Sequence, residues 1–193
     1  FFFFYCFLLL LFSLFQVEMI DLNFNIINTQ GAIALANAII KRPKKSCLNK
    51  IPHRVRLLQT LKLESNKIGD RGVKILCQAL RMCKNLLTLC LPDNNIGSVG
   101  GTNVGILLGK SPKLTCLDIS NNNIRGSGAA SLTFGLVKSK SLLWCDLSWN
   151  AIGQSPDRQA ARTLARSLKK NKILTHLDLS MNRFDLIDIR AIG

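Results

Sequence analysis

Leu58-Gln-Thr-Leu-Lys-Leu-Glu-Ser-Asn-Lys-Ile68 decides the fold, because the same pattern returns 28 residues later as Leu86-Leu-Thr-Leu-Cys-Leu-Pro-Asp-Asn-Asn-Ile96. It returns at the same interval over 114–124 and 142–152, and after 32 residues over 174–184. The shared form is L-x-x-L-x-L-x-x-N-x-I, with Asn66, Asn94, Asn122, Asn150 and Asn182 in register. A weaker copy lies 41 residues upstream of the first: Val17, Ile20, Leu22, Asn25 and Ile27. The longer intervals place insertions in the basic stretch near 42–55 and close to Gln154–Arg158. A period of this length marks a repeat architecture: one unit cannot bury its own apolar face, so neighbours must stack.

Within a unit, the second and third apolar positions alternate like a short strand facing the core. The Asn closes that strand and turns inward, where its amide serves loop backbone groups that would otherwise be buried unpaired. The remainder reads as a helix. Leu35/Ile39, Leu76/Leu80, Val104/Leu108, Leu132/Leu136 and Leu164/Leu168 are spaced four apart, which puts each pair on one face. Gly31, Gly72, Gly100 and Gly128 share one position ahead of those pairs, where the chain turns close to its neighbour; Ala160 stands there in the unit with the insertion. Stacking predicts an α/β solenoid, horseshoe-shaped, with parallel strands on the concave face and helices on the convex face.

These units resemble leucine-rich repeats of the ribonuclease-inhibitor type, over residues 16–193 in about six units. Similar repeats form the sensing region of NOD-like receptors, the body of ribonuclease inhibitor, and Ran GTPase-activating proteins. The resemblance implies a non-enzymatic scaffold or ligand-sensing module that offers its concave face to another protein. Its alternative implication is a regulator of a small GTPase, although none of that family's functional residues finds a matching position here. A basic surface module contacting nucleic acid or anionic membrane ranks third.

The chain has 193 residues, 26 Lys+Arg against 11 Asp+Glu, and a net charge of +15. With 48% apolar and 19% charged residues it is a folding chain rather than a disordered one, of a size for one domain. Its 7 Cys include no CxxC pair and only 2 His accompany them, which argues against a zinc framework. The odd Cys count favours a reducing compartment, taken as the cytoplasm. Residues 1–15, FFFFYCFLLLLFSLF, form an apolar leader without charge. As a helix it would span roughly 22 Å, short of the ~30 Å hydrocarbon core. Three origins fit it: a pyrimidine tract translated by mistake, a remnant of a membrane or signal segment, or a buried cap. Membrane association follows only if the leader is genuine. Neither end shows a polar capping repeat, so the expectation is a longer parent protein.

Candidate chemistry is sparse. Gly105-Ile-Leu-Leu-Gly109-Lys110-Ser111 approaches a phosphate-binding loop, but it has three residues between the glycines where four are needed, and it falls at a helix end. His53 and His176 are far apart in the repeat frame, and neither has a nucleophile at matching depth. No catalytic or metal residue, cofactor or small-molecule substrate is therefore expected.

The concave strand positions say more. Asp118, Asp146 and Asp178 form one column, Cys116, Trp144 and His176 a second, Ser120, Ser148 and Ser180 a third, and Asn121, Trp149 and Met181 a fourth. Two exposed Trp flanked by carboxylates have the composition of an interaction hot spot, so Trp144, Trp149, Asp118, Asp146, Asp178 and His176 are the candidate partner-binding residues. A plainer account treats the Asp and Ser columns as solvated strand, since Leu-Asp-Leu-Ser is common filler in such repeats. The cations lie elsewhere. Lys41, Arg42, Lys44, Lys45, Lys50, Arg54 and Arg56 fall in a stretch without acidic residues. Lys41, Lys110, Lys138 and Lys170 recur just past the helix, where the helix dipole favours each by about 0.3–1 kcal/mol. The competing account of that recurrence is a basic outer rim making a weak, salt-sensitive contact with anionic surfaces. Among the cysteines, Cys145 replaces a core Leu, Cys77 falls in a helix, and Cys90 and Cys116 are expected exposed on strands.

Overall fold

The strand of each unit is only three residues long, centred on the first apolar residue of the L-x-L segment, because the Asn four positions past its end already belongs to the following turn. The computed structural model describes residues 17–40, 57–154 and 158–192. The leader 1–15, the insertion near 42–55, Lys41 and His53 lie outside the described residues. Strands and helices alternate throughout: β1 (Met19–Asp21), α1 (Thr29–Ile40), β2 (Thr60–Lys62), α2 (Gly69–Leu80), β3 (Thr88–Cys90), α3 (Ser98–Leu108), β4 (Cys116–Asp118), α4 (Gly126–Lys138), β5 (Trp144–Asp146), α5 (Gln159–Lys170), β6 (His176–Asp178) and α6 (Leu186–Ile192).

The six strands form one parallel sheet in chain order. Its register is the sequence repeat: Thr60 pairs with Thr88, Thr88 with Cys116, Cys116 with Trp144, and Trp144 with His176. The predicted α/β leucine-rich repeat solenoid is the fold observed. Leu61, Leu89, Leu117 and Cys145 are buried at the strand centres, and Leu63, Leu91, Ile119 and Leu147 follow them inward. The helical pairs meet them from the other layer, all buried except Leu168, which is half-buried. A fully buried Leu contributes about 1.5–3 kcal/mol, and stacking makes that core continuous from unit to unit. In the first and last described units Ile20, Leu22, Leu177 and Leu179 are only half-buried, because each has a described neighbour on one side alone.

The asparagines form a ladder. Asn122 donates from Nδ2 to the carbonyls of Leu91 (3.0 Å), Ile119 (3.1 Å) and Ser120 (2.8 Å), while its Oδ1 accepts the N–H groups of Asn94 (3.0 Å) and Ile96 (2.9 Å). Asn66, Asn150 and Asn182 repeat the pattern. Two positions depart from expectation. Asn25 is exposed and bonds only within its own turn, to the carbonyls of Leu22 and Asn23. Asn94 is buried, but its Oδ1 has no hydrogen-bond partner. Ile68, whose counterparts donate to that oxygen, is in helical geometry, and the neighbouring Gly69 N–H donates to the Asn94 main-chain carbonyl instead (2.9 Å).

A second tie between units sits four residues past Asn25, Asn66 and Asn94. Thr29 Oγ1 donates to the Ile68 carbonyl (2.9 Å) and Ser98 Oγ to the Arg125 carbonyl (2.8 Å). Asp70 Oδ1 accepts the N–H groups of Gly97 (2.7 Å) and Gly100 (2.8 Å), capping α3 from the preceding unit. This supplies what Gly97, without a side chain, cannot do at its own N-cap.

Candidate partner-binding face

Parallel register sets the concave columns side by side. Trp144 stands between Cys116 and His176, and Asp146 between Asp118 and Asp178. The three carboxylates are held by the turns that follow them: Oδ1 of Asp118, Asp146 and Asp178 accepts the N–H of Ser120 (3.0 Å), Ser148 (2.8 Å) and Ser180 (2.8 Å). The Ser180 N–H lowers the Asp178 carboxyl below its ordinary value. Asp178 and His176 are exposed, whereas Asp118 and Asp146 are half-buried. Ser148 is buried, against the expectation of a solvated column, because the turns of both neighbouring units flank it.

Trp149 is 58% exposed and Trp144 37%. Its backbone is left-handed, φ 53°, and so is every residue just before a ladder Asn: Phe24, Ser65, Asp93, Asn121 and Met181 have φ between 50° and 55°. That conformation costs a non-glycine residue roughly 1–2 kcal/mol. Main-chain bonds on both sides hold it, from the Trp149 N–H to the Ser180 carbonyl (3.0 Å) and from the Asn122 N–H to the Trp149 carbonyl (3.1 Å). The turn thereby throws Phe24, Asp93, Asn121, Trp149 and Met181 into solvent, while Ser65 stays half-buried. Sequence reasoning placed Asn121, Trp149 and Met181 in one column but missed Phe24, whose position just before Asn25 was the available signal. Met181 also borders an open apolar pocket of about 540 Å³ formed with Leu179, Phe184, Ile189 and Ile192.

The cysteines fill space. Cys77, Cys83 and Cys145 are buried, and Cys90 and Cys116 are half-buried rather than exposed. Burial pushes the Cys77, Cys83 and Cys90 thiols up to about 12, which keeps them protonated and unreactive at neutral pH.

An ion-pair clamp docks α6. Arg158 Nη1 lies 2.6 Å from Asp185 Oδ1 and 3.3 Å from Asp188 Oδ1, while Asp185 Oδ1 also accepts the N–H groups of Ile187 and Asp188 (2.8 Å each). The Arg158 hydrogen bond holds the Asp185 carboxyl down at about 2, from an ordinary 3.8. A carboxyl depressed by folding stabilises above its unfolded value and loses that contribution as pH falls through its folded value. Amide protection in α6 is therefore expected to fall between about pH 4 and pH 2, and Asp185→Asn to remove that pH step; hydrogen exchange followed by NMR reads both.

Comparison with known proteins follows the same lines. A leucine rich repeat family model matches residues 56–77, 110–132 and 170–193. No curated protein matches the chain. Among solved structures, leiomodin-1 actin-binding site 2 is similar, with a TM-score of 0.54 and 18% identity over 64% of this chain and 68% of that one, a likeness of fold. With the parallel sheet and the asparagine ladder, the matched segments show leucine-rich repeats stacked into an α/β solenoid.

Proposed function

We propose that the chain is an interaction scaffold that captures a protein partner on its concave face, with Trp144 and Trp149 as anchors and Asp146, Asp118, Asp178 and His176 around them. The observation that carries this reading is Trp149. A large aromatic ring is kept outward, 58% exposed, in a backbone conformation that costs stability, beside a second exposed Trp. Aromatic anchors with flanking charges are the usual composition of a hot spot. Helices of 11 to 13 residues in α1–α5 and the 28-residue period favour the ribonuclease-inhibitor type of repeat. The reading places the module in the cytoplasm, which the odd number of cysteines favours. The GTPase-regulator reading draws on repeat resemblance alone. Leiomodin-1 site 2 is named for actin binding, which makes actin the first partner to titrate.

Trp144→Ala with Trp149→Ala is expected to abolish partner capture without lowering the melting temperature; a double variant that loses its fold would show that the rings are core. Trp149→Asn sharpens the test, because Asn121 holds the same place one unit earlier and Asn tolerates positive φ. It is expected to raise stability by about 1 kcal/mol while still weakening capture.

A further inference from the structure

In an all-parallel sheet every helix-to-strand connection emerges at one edge, and every strand-to-helix connection at the opposite edge. Four successive helix-to-strand connections are basic. Lys84 follows α2, Lys110 and Lys113 follow α3, Lys138 and Lys140 stand at the end of α4, and Lys172 follows α5; all are exposed. No Asp or Glu falls in these four connections. With helices packed about 8–10 Å apart, the cations line an edge about 24–30 Å long.

The helix dipole accounts for Lys110 and Lys138, but its influence fades within the last turn. Lys84 and Lys113 lie four and five residues beyond their helices, out of the dipole's reach, and Lys113 Nζ donates to Asn85 Oδ1 of the neighbouring connection (2.8 Å). Each basic cluster also has an exposed apolar neighbour: Met82 beside Lys84, Ile106 one turn before Lys110, Phe134 one turn before Lys138, and Ile173 beside Lys172. The Lys138 Nζ sits 5.2 Å from the centre of the Phe134 ring. A phosphate backbone gains nothing from Met, Ile or Phe side chains, whereas a bilayer interface takes up both cations and apolar groups. These four connections have only five to seven residues each, which keeps this stretch of the edge level and suits a planar partner better than a rod.

We propose that this edge docks on an anionic phospholipid bilayer, with the lysines on headgroup phosphates and the apolar side chains in the headgroup layer. The concave face stays free for its protein partner, and the two surfaces act independently. The test sediments the full chain with phosphatidylcholine vesicles made with and without phosphatidylserine. It compares wild type, an edge variant (Lys110→Glu, Lys113→Glu, Lys138→Glu, Lys140→Glu) and a control variant of equal charge (Lys67→Glu, Arg71→Glu, Lys74→Glu, Arg125→Glu). At about 1 kcal/mol per lysine, the edge variant is expected to lose its preference for phosphatidylserine by a hundredfold or more, and the control to lose far less. If the reversals unfold the edge variant, the same four positions changed to Gln give the same comparison. The proposal is overturned if the edge variant keeps the preference, which would assign it to residues outside these four connections. It is also overturned if wild type shows no preference, if the control falls as far, or if an RNA duplex binds in preference to the vesicles.

Discussion

Asn150→Ala is expected to lower unfolding stability by about 3–5 kcal/mol, a large share of the roughly 5–15 kcal/mol of a marginally stable domain. The Asn150 amide N–H groups are shared among the carbonyls of Ile119 (3.0 Å), Leu147 (3.1 Å) and Ser148 (3.2 Å), and its Oδ1 accepts the Ile124 N–H (3.0 Å). The side chain is 4% exposed, so water cannot take its place. Truncation strands several buried main-chain groups at about 1–3 kcal/mol each, part of which relaxation recovers. Asn25→Ala is the internal control. There the side chain is exposed and its bonds are local, so the cost stays within about 0.5 kcal/mol. Urea titrations followed by Trp fluorescence measure both, and equal costs would mean that the ladder is not a principal source of stability.

Gly105→Val is expected to cost about 3 kcal/mol, for a different reason. Helices α3 and α4 touch through their main chains. A Cβ at Gly105 would run into the Ser131 carbonyl and come within 2.9 Å of Leu132 Cα, and one at Gly135 would lie 2.6 Å from the Gly105 carbonyl oxygen. Backbone cannot swing aside as a side chain does, so the helices must separate and loosen Val104, Leu108, Leu132 and Leu136 between them. Gly109→Ala supplies the contrast, because its nearest neighbour is the Lys138 Cβ at 3.2 Å on an exposed residue, and its melting temperature should barely move. The two glycines that imitate a phosphate-binding loop thus owe their places to helix packing and to a helix end.

Sheet register, the apolar helical pairs and the ladder positions were legible because each is a local pattern repeated at a fixed interval. A leucine buried in one unit implies a leucine buried at the same place in the next. The candidate face was legible in part. Trp144, Trp149 and Asp146 fall in one unit with Asp118, Asp178 and His176 on either side, as alternation along a strand requires. The shielding of Asp118, Cys90 and Ser148 was not, since it depends on how closely adjacent turns approach.

Composition and periodicity were sufficient for the unit, its stacking direction and its parallel pairing, because burying regularly spaced leucines leaves a single way to pile the units. They were silent on the left-handed backbone that pushes Trp149 into solvent, on the reach of Asp70 across to α3, on the unpartnered oxygen of Asn94 and on the contact of Gly105 with α4. Each of those arises between residues about 26 to 30 positions apart, in different units. Their geometry is set by how tightly neighbouring units close on one another, a quantity that no unit carries in its own residues.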